Sequence, residues 1–156
     1  MTPAINLAKK NKIKYTVHEY THDTSVESYG LEASQKLGVE EERVFKTLVV
    51  MLHDDSLAVG IIPVSCKLSM KQMAKSLNAK KCAMANKSDV EKSTGYILGG
   101  VSPLGQKKSL KTVIDISAKR FKTIFISGGR RGLDIEMSPF DVEKLTRASF
   151  HDITTL

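Results

Sequence analysis

The first residue whose type and position could carry chemistry is a lysine inside an otherwise apolar segment. Lys46 stands between Phe45 and Thr47 in a run of strand-forming residues. Because side chains alternate across a strand, Lys46 shares one face with Leu48 and Val50, and both faces are otherwise largely apolar. We therefore predict a central strand in which Lys46 either points into a polar site or extends past the end of the sheet.

Two glycine-rich loops could form two backbone walls of one binding site. Glycine allows a close approach of backbone to a ligand, but it weakens a fold where this is not needed. Seven of the ten glycines fall into two segments, Gly95, Gly99, Gly100 and Gly105, then Gly128, Gly129 and Gly132. In the first, Gly99 and Gly100 could direct N–H groups at a carbonyl or ribose, and Pro103 would stiffen the exit. An ordinary tight loop would show the same residues.

The second loop combines hydrogen-bonding groups with positive charge. Ser127, Gly128 and Gly129 follow a predicted strand and could form a nest of backbone N–H groups for an anion. Arg130 and Arg131 would then add charge for a phosphate. This segment alone is a weak signal, and it gains weight only beside the first loop.

Three further side chains have both a structural and a functional interpretation. Asp134 lies on the next predicted strand, where it either faces a site or pairs with an arginine. Tyr20 and Tyr29 flank the first turn region, and a tyrosine there more often packs than contacts a ligand.

Metal and nucleophile chemistry find no support in the residue spacing. His18 and His22 are spaced like metal ligands, but no cysteine pair or second histidine pair accompanies them. Cys66 and Cys82 have no neighbouring base motif and are expected to be small apolar residues. Nucleophile-elbow, P-loop and dinucleotide motifs are also missing. We expect no cofactor, no metal and no protein nucleophile.

The charge favours a nucleic-acid partner. The 156-residue chain has a formal net charge of +7. Two basic pairs, Lys107 with Lys108 and Arg130 with Arg131, adjoin the glycine loops, although a solvated lysine-rich surface would give the same charge. Because aromatic residues are few, phosphate contacts fit better than base stacking. The longest apolar run, Leu48 to Leu52, is too short for a membrane span, and no signal peptide is seen; we expect a cytoplasmic protein without a membrane partner.

The pattern of elements predicts an α/β fold in one domain over residues 1–156. A hairpin at residues 44–64 makes the sheet mixed, and it leaves an open sheet and a closed one both possible. Seven strands or so and five helices are expected. The strands are residues 15–20, 44–52, 57–64, 81–84, 112–116, 123–127 and 133–137, with a further one at 150–153; the helices span about 3–10, 30–37, 70–78, 88–95 and 139–147, with caps at Thr2, Ser69, Ser88 and Ser138.

The order and spacing of these segments resemble the YbaK/EbsC family, specifically the bacterial YbaK-type Cys-tRNA(Pro) deacylases. Each matching segment is weak by itself, whereas six in order along one small domain are specific. They are Met1-Thr-Pro-Ala-Ile5, Tyr20-Thr-His-Asp23, Phe45-Lys-Thr-Leu48, Lys92-Ser-Thr-Gly-Tyr96, Gly99-Gly-Val-Ser-Pro-Leu-Gly-Gln-Lys-Lys108 and Ser127-Gly-Gly-Arg-Arg-Gly-Leu-Asp-Ile-Glu136.

The resemblance implies a barrel-like mixed sheet flanked by helices and a role for each candidate residue. Lys46 aligns with the family's catalytic lysine, and Gly99 to Pro103 matches its G-x-x-x-P loop. A cation there would orient an aminoacyl ester or a phosphate, or offset charge on a carbonyl oxygen. The implied site residues are Lys46, Gly99 and Gly100 for catalysis; Tyr20, Tyr29, Thr47, Pro103, Ser127, Gly128, Gly129 and Asp134 for the substrate; and Arg130, Arg131, Lys107 and Lys108 for tRNA phosphates.

The same resemblance implies trans-editing hydrolysis of Cys-tRNA(Pro), with the substrate's own thiol as nucleophile. The implied partners are the acceptor end of tRNA(Pro) and prolyl-tRNA synthetase, which mischarges cysteine because a pocket discriminates poorly between residues of similar size. Two alternatives stay open: an editing domain for another small amino acid such as alanine, and a non-catalytic module that binds RNA or a synthetase.

Overall fold

A computed structural model describes residues 1–25 and 28–155 of the chain, and these residues form five α-helices and ten β-strands. The helices are α1 (Pro3–Lys10), α2 (Tyr29–Leu37), α3 (Met70–Ser76), α4 (Lys87–Thr94) and α5 (Pro139–Thr146). The strands are β1 (Tyr15–Glu19), β2 (Phe45–Leu52), β3 (Leu57–Pro63), β4 (Lys67–Leu68), β5 (Cys82–Met84), β6 (Lys111–Asp115), β7 (Ile124–Arg130), β8 (Leu133–Met137), β9 (Ser149–His151) and β10 (Thr154–Thr155). None of these helices is long and apolar enough to cross a membrane.

The predicted hairpin lies at the centre of a five-stranded mixed sheet with the order β5-β2-β3-β6-β9. Strands β2 and β3 pair antiparallel from Phe45 opposite Pro63 to Met51 opposite Leu57, and β3 pairs parallel with β6. Both edges of β2 are therefore occupied, by β3 and β5, which confirms that the lysine strand is internal to the sheet.

The remaining strands form two smaller sheets. The three-stranded sheet has the order β1-β8-β7, and β10 pairs with β4. A parallel bridge between Val44 and Phe125 joins the three-stranded sheet to the start of β2. The expected α/β fold with mixed pairing is confirmed, and its strands divide among three sheets, of which the two larger ones are joined at this bridge.

The core lies on both sides of β2, because its side chains alternate between two apolar clusters. Phe45 and Val49 face the larger cluster with Ile61 of β3. Val50 and Leu52 face a second cluster that α3 covers. Burial on both faces explains why this strand reads as nearly continuous apolar sequence.

Helix caps follow the sequence with one correction. Thr2, Ser69 and Ser138 cap α1, α3 and α5 through their side-chain oxygens, as predicted. The predicted cap of α4 was Ser88, whereas the Asn86 side chain accepts the N–H of Asp89 at 2.8 Å. Asparagine is as good an N-cap as serine, so the helix begins earlier.

The C-terminal strand also differs from its prediction at residues 150–153. The N–H of Ile153 donates to the buried carboxylate of Asp115 at 3.1 Å. This bond takes Ile153 out of the strand pairing, so β9 ends at His151 and β10 begins at Thr154. One buried side chain therefore replaces a continuous strand with two short ones.

Candidate functional site

A cavity of about 600 Å³ lies where β2, the start of α2, the first glycine loop and strands β7 and β8 meet. Its volume is within the range of about 300–1,000 Å³ common for small-ligand sites. Nine predicted site residues line it: Tyr20, Tyr29, Lys46, Thr47, Gly99, Ser127, Arg130, Arg131 and Asp134. The apolar part of the wall comes from residues such as Val44, Phe45, Leu48 and Val101.

Lys46 lies in the cavity wall rather than past the end of the sheet. It pairs with Ile62 in the hairpin register and is half-buried. Burial lowers the pKa of its ammonium group, and the nearby Cys66 opposes this shift. Lys46 takes part in no ion pair within residues 1–25 and 28–155. Lys46 thus lines the cavity, and none of the described carboxylates neutralises its charge through an ion pair.

Asp134 supplies a carboxyl group to the same cavity. The residue is only 7% exposed, and no arginine pairs with it among the described ion pairs. Burial raises its pKa from 3.8 to about 7, since an ionised carboxylate is poorly solvated there. Burial and, to a smaller extent, the charge of Asp134 raise the pKa of Tyr20 to about 12. Asp134 can thus change its charge near neutral pH.

A stacked pair forms the rim of the cavity. The guanidinium of Arg131 lies 4.7 Å from the centre of the Tyr29 ring, and its Nη2 donates to the carbonyl of Leu98 at 2.7 Å. These contacts hold Arg131 between α2 and the first glycine loop. The arginine is therefore preorganised at the cavity mouth.

Gly99 fits beside this pair because it has no side chain. It is the third residue of a turn from Ile97 to Gly100, with φ of +90°, where glycine is favoured. A Cβ there would lie 2.5 Å from Nε of Arg131 and 2.8 Å from Cε2 of Tyr29. The glycine is thus required both by the turn and by the close approach of two rim residues.

Gly100 does not share the role expected for it. Its N–H donates to the carbonyl of Ile97 at 2.8 Å and closes the turn. It is buried and lies outside the main cavity, where a Cβ would meet Cα of Arg130 at 2.7 Å. Of the two glycines expected to face a ligand, only Gly99 lines the cavity.

Pro103 and the two lysines of the first loop also lie apart from the cavity. Pro103 is buried and lines a separate depression together with Lys108. Lys107 and Lys108 are exposed, and their backbone N–H groups donate to the end of α4, at Thr94 and Ser93. Their side chains can meet a phosphate only outside the cavity.

The second glycine loop contributes packing instead of an anion nest. Gly128 accepts a hydrogen bond from the Thr2 hydroxyl. Gly129 donates its N–H to Oγ of Ser127 at 3.2 Å, and a Cβ on it would lie 2.8 Å from the buried Tyr96 ring. Strand β7 runs to Arg130, with an irregular register against β8 between Ser127 and Arg130. Within this irregularity the Gly129 N–H is used by Ser127, which leaves one amide fewer for an anion.

A buried ionic cluster that sequence reasoning missed supports the rim from behind. Glu32 is 2% exposed; Nδ1 of His22 lies 2.8 Å from Oε1, while the N–H of Asp23 and the ammonium of Lys36 contact Oε2 at 2.7 and 3.1 Å. Burial acts to raise the pKa of Glu32, but these three donors outweigh it and lower the pKa. His22 also lies 5.5 Å from the Tyr29 ring. The only sequence signal was the spacing of Glu32 and Lys36 on one helix face.

A second ionic cluster holds the three-stranded sheet against the start of β2. Glu136 contacts His18 at 2.9 Å, the Thr123 hydroxyl at 2.6 Å and Arg43 at 3.3 Å. The guanidinium of Arg43 also lies 5.1 Å from the Phe125 ring. This cluster lies outside the cavity and fixes the sheet that carries Asp134.

The chain belongs to the aminoacyl-tRNA editing domain family, whose pattern matches residues 25–145. It is 36% identical to the "Putative Cys-tRNA(Pro)/Cys-tRNA(Cys) deacylase EbsC" of Enterococcus faecalis (strain ATCC 700802 / V583) over 99% of this chain and 93% of that protein. It is 27% identical to the uncharacterized protein YwhH of Bacillus subtilis (strain 168) over 74% of this chain and 73% of that one.

A solved structure described as a "putative trans-editing enzyme for prolyl tRNA synthetase" has the same fold. It superimposes with a TM-score of 0.83 at 20% identity, covering 98% of this chain and 93% of the other. The expected family and fold are confirmed by these comparisons.

Proposed function

We propose that this protein is a trans-editing deacylase that hydrolyses Cys-tRNA(Pro). The observation that carries the proposal is the meeting of Lys46, Asp134 and Gly99 at one cavity, each from a different part of the fold. An aminoacyl ester offers a matching set of groups: an ammonium, a carbonyl oxygen and a ribose. The 36% identity to EbsC supports the same class of reaction.

Each residue has a task that its surroundings suit. The carboxylate of Asp134 binds the α-ammonium of the esterified amino acid, which favours the ionised carboxylate in spite of its burial. The N–H of Gly99 and the ammonium of Lys46 stabilise negative charge on the ester oxygens. Arg131, held by Tyr29, meets the RNA at the mouth. The Gly100 amide is excluded from this set by its bond to Ile97.

The substrate thiol supplies the nucleophile in this proposal. Deprotonated sulfur attacks the ester carbonyl, a C–S bond forms, and the C–O bond to the ribose breaks. The thiol proton passes to the departing ribose oxygen, and water then opens the resulting cyclic thioester to release cysteine. Proximity of sulfur to its own carbonyl replaces much of what a protein nucleophile provides. A thiol with an ordinary pKa of about 8.5 is sufficiently ionised near neutrality to react.

The test compares three esters of tRNA(Pro) at saturating protein: cysteinyl, seryl and S-methylcysteinyl. Only the cysteinyl ester should be cleaved rapidly, and Lys46→Ala should remove that activity. Equal cleavage of all three would replace sulfur attack with attack by water. Failure to cleave any of them, with Ala-tRNA(Pro) also stable, would favour a non-catalytic RNA-binding module.

A second substrate is supported by the apolar part of the wall. Val44, Leu48 and Val101 could contact a methyl group as well as a thiol-bearing side chain. Cleavage of Ala-tRNA(Pro) at a rate equal to or above that of Cys-tRNA(Pro) would make the protein an alanine-editing enzyme. The same tRNA and protein partners are proposed for either substrate. The acceptor end of tRNA(Pro) is the RNA partner, and prolyl-tRNA synthetase is the protein partner that presents it. Co-elution of this protein, tRNA(Pro) and prolyl-tRNA synthetase on size-exclusion chromatography tests the assembly.

A further inference from the structure

A second cavity of about 280 Å³ adjoins the proposed active site and has no role in the proposal above. It shares Arg130 and Arg131 with the main cavity and is otherwise lined by different residues, among them Ile97, Tyr96 and Pro3. Gly100 lines the second cavity and not the main one, and it packs closely on the backbone of Arg130, where a Cβ would lie 2.7 Å from Cα. The two depressions are thus neighbours across one pair of loops.

We propose that this second cavity binds the penultimate nucleotide of the RNA whose aminoacylated end occupies the main cavity. The inference rests on the proposed function for the identity of the RNA. The amino acid is esterified to the terminal ribose, so the substrate continues only through the 5′ phosphate of that terminal nucleotide. Its next nucleotide must leave across the rim of the main cavity. Arg130 and Arg131 line both this rim and the second cavity, so a chain that leaves past them meets the second cavity next.

The positive charge at this rim is placed for a phosphodiester. The side chain of Arg130 is 56% exposed, and its contact with the exposed Glu19 is long, at 3.4 Å. A phosphate can displace so weak an ion pair. Arg131 is held by Tyr29 and Leu98, so its guanidinium stays at the boundary of the two cavities. Glu91, an acidic residue beside the loop, is engaged by the N–H of Leu98 at 3.1 Å.

The apolar surface of the second cavity suits the face of a base. Ile97 is 68% exposed, and it lines this cavity and not the main one. Tyr96 lines the same cavity and is only 4% exposed, and its hydroxyl donates to the carbonyl of Leu104 at 2.6 Å. A base packed on Ile97 would cover this apolar surface, and hydrogen-bond readout of the base is not needed.

The competing exit lies past Lys87, which lines the main cavity but not the second one. Two readouts separate these paths. The first is binding of the unacylated dinucleotide CpA compared with adenosine 5′-monophosphate, which lacks the penultimate nucleoside. The second is the ratio of kcat/KM for a cysteinylated CCA-ended minihelix to that for 3′-O-cysteinyl adenosine.

The variant that tests the second cavity is Ile97→Glu, and Ile97→Gln is its uncharged match. Ile116→Glu serves as the control, because it adds the same charge at an exposed site outside both cavities. Ile97→Glu should weaken CpA binding by about ten- to a hundredfold, because it replaces the apolar surface that the penultimate base would cover. Binding of adenosine 5′-monophosphate should stay within about twofold, because that ligand keeps the phosphate but has no penultimate base. The kcat/KM ratio should fall in parallel. Ile97→Gln should lose less, and Ile116→Glu should match the parent protein.

Equal losses for CpA and the mononucleotide, no loss for CpA, or a lost preference only in Lys87→Gln would each overturn the second subsite. Circular dichroism and thermal melting show whether each variant is folded. If the parent protein prefers CpA and Ile97→Glu abolishes that preference, the subsite stands even when no cysteinyl ester is cleaved. In that case only the proposed reaction fails.

Discussion

Replacing Asp134 by asparagine should stabilise the protein at alkaline pH and impair its activity. Burial raises the pKa of this carboxyl from 3.8 to about 7. Between these two values the native state keeps a proton that the unfolded chain has lost, so the free energy of unfolding falls as pH rises. Asparagine has nearly the same shape and cannot ionise. The free energy of unfolding of the variant should therefore not fall with pH for this reason.

The magnitude follows from the width of the interval between the two pKa values. Each pH unit within it costs about 1.4 kcal/mol, and the cost ends near the native pKa. Between pH 5 and pH 8 the parent protein should thus lose about 2–3 kcal/mol that Asp134→Asn retains. Urea unfolding followed by circular dichroism at pH 5, 6, 7 and 8 measures the difference, provided that both proteins show the same m-value.

Glu136 provides an internal control on the same strand. The Thr123 hydroxyl, His18 and Arg43 lower the pKa of Glu136, although burial opposes them. Its ionised form therefore stabilises the fold above its ordinary pKa, and Glu136→Gln should lower the free energy of unfolding throughout pH 5–8. A stability difference for Asp134→Asn that does not change with pH would refute the account of a desolvated carboxyl. Undiminished deacylation by that stabilised variant would remove Asp134 from ammonium binding.

Three other changes test the site. Lys46→Ala should fold normally and lose about 10²–10³ in deacylation rate, because it removes a preorganised charge; single-turnover rates close to those of the parent would exclude Lys46. Arg130→Ala should reduce the slope of log K against log salt for tRNA binding by about one unit, and an unchanged slope would mean that Arg130 touches no phosphate. Gly99→Ala should raise KM and lower the melting temperature, since it strains a backbone with φ of +90° and displaces Arg131 and Tyr29. A crystal structure with both side chains unmoved would contradict this reasoning.

Sequence patterns predicted those features of the site that depend on residues nearby in the chain. Alternation along β2 was enough to identify Lys46 as a charged residue in an apolar strand. The glycine count predicted an unusual backbone at Gly99, which has φ of +90°. The glycine count did not distinguish the role of Gly99 from that of Gly128. Gly128 is required for packing, because a Cβ there would lie 2.8 Å from the Leu133 side chain on the next strand.

Features that depend on contacts between residues far apart in the chain could not be predicted from the sequence. The Glu32 cluster requires His22 and Asp23 to lie against α2, and only the Lys36 contact has a sequence signature. The raised pKa of Asp134 depends on how other elements cover it, which strand alternation does not reveal. The break between β9 and β10 depends on Asp115, 38 positions before Ile153. Family resemblance supplied the site residues but not these supporting contacts.

The pairing of β1 with β8 also decides when this cavity can exist during synthesis. Residues 15–19 find their partner strand only once residues 133–137 have been made. Likewise, the Thr2 hydroxyl can donate its hydrogen bond to the carbonyl of Gly128 only after residue 128 has been synthesised. A nascent chain can close the β2–β3 hairpin early, since that contact is local, but the wall that carries Asp134 forms only after most of the chain has left the ribosome. The cavity can therefore be completed only late in synthesis, and a chain that ends before residue 133 cannot hold both Lys46 and Asp134 in place.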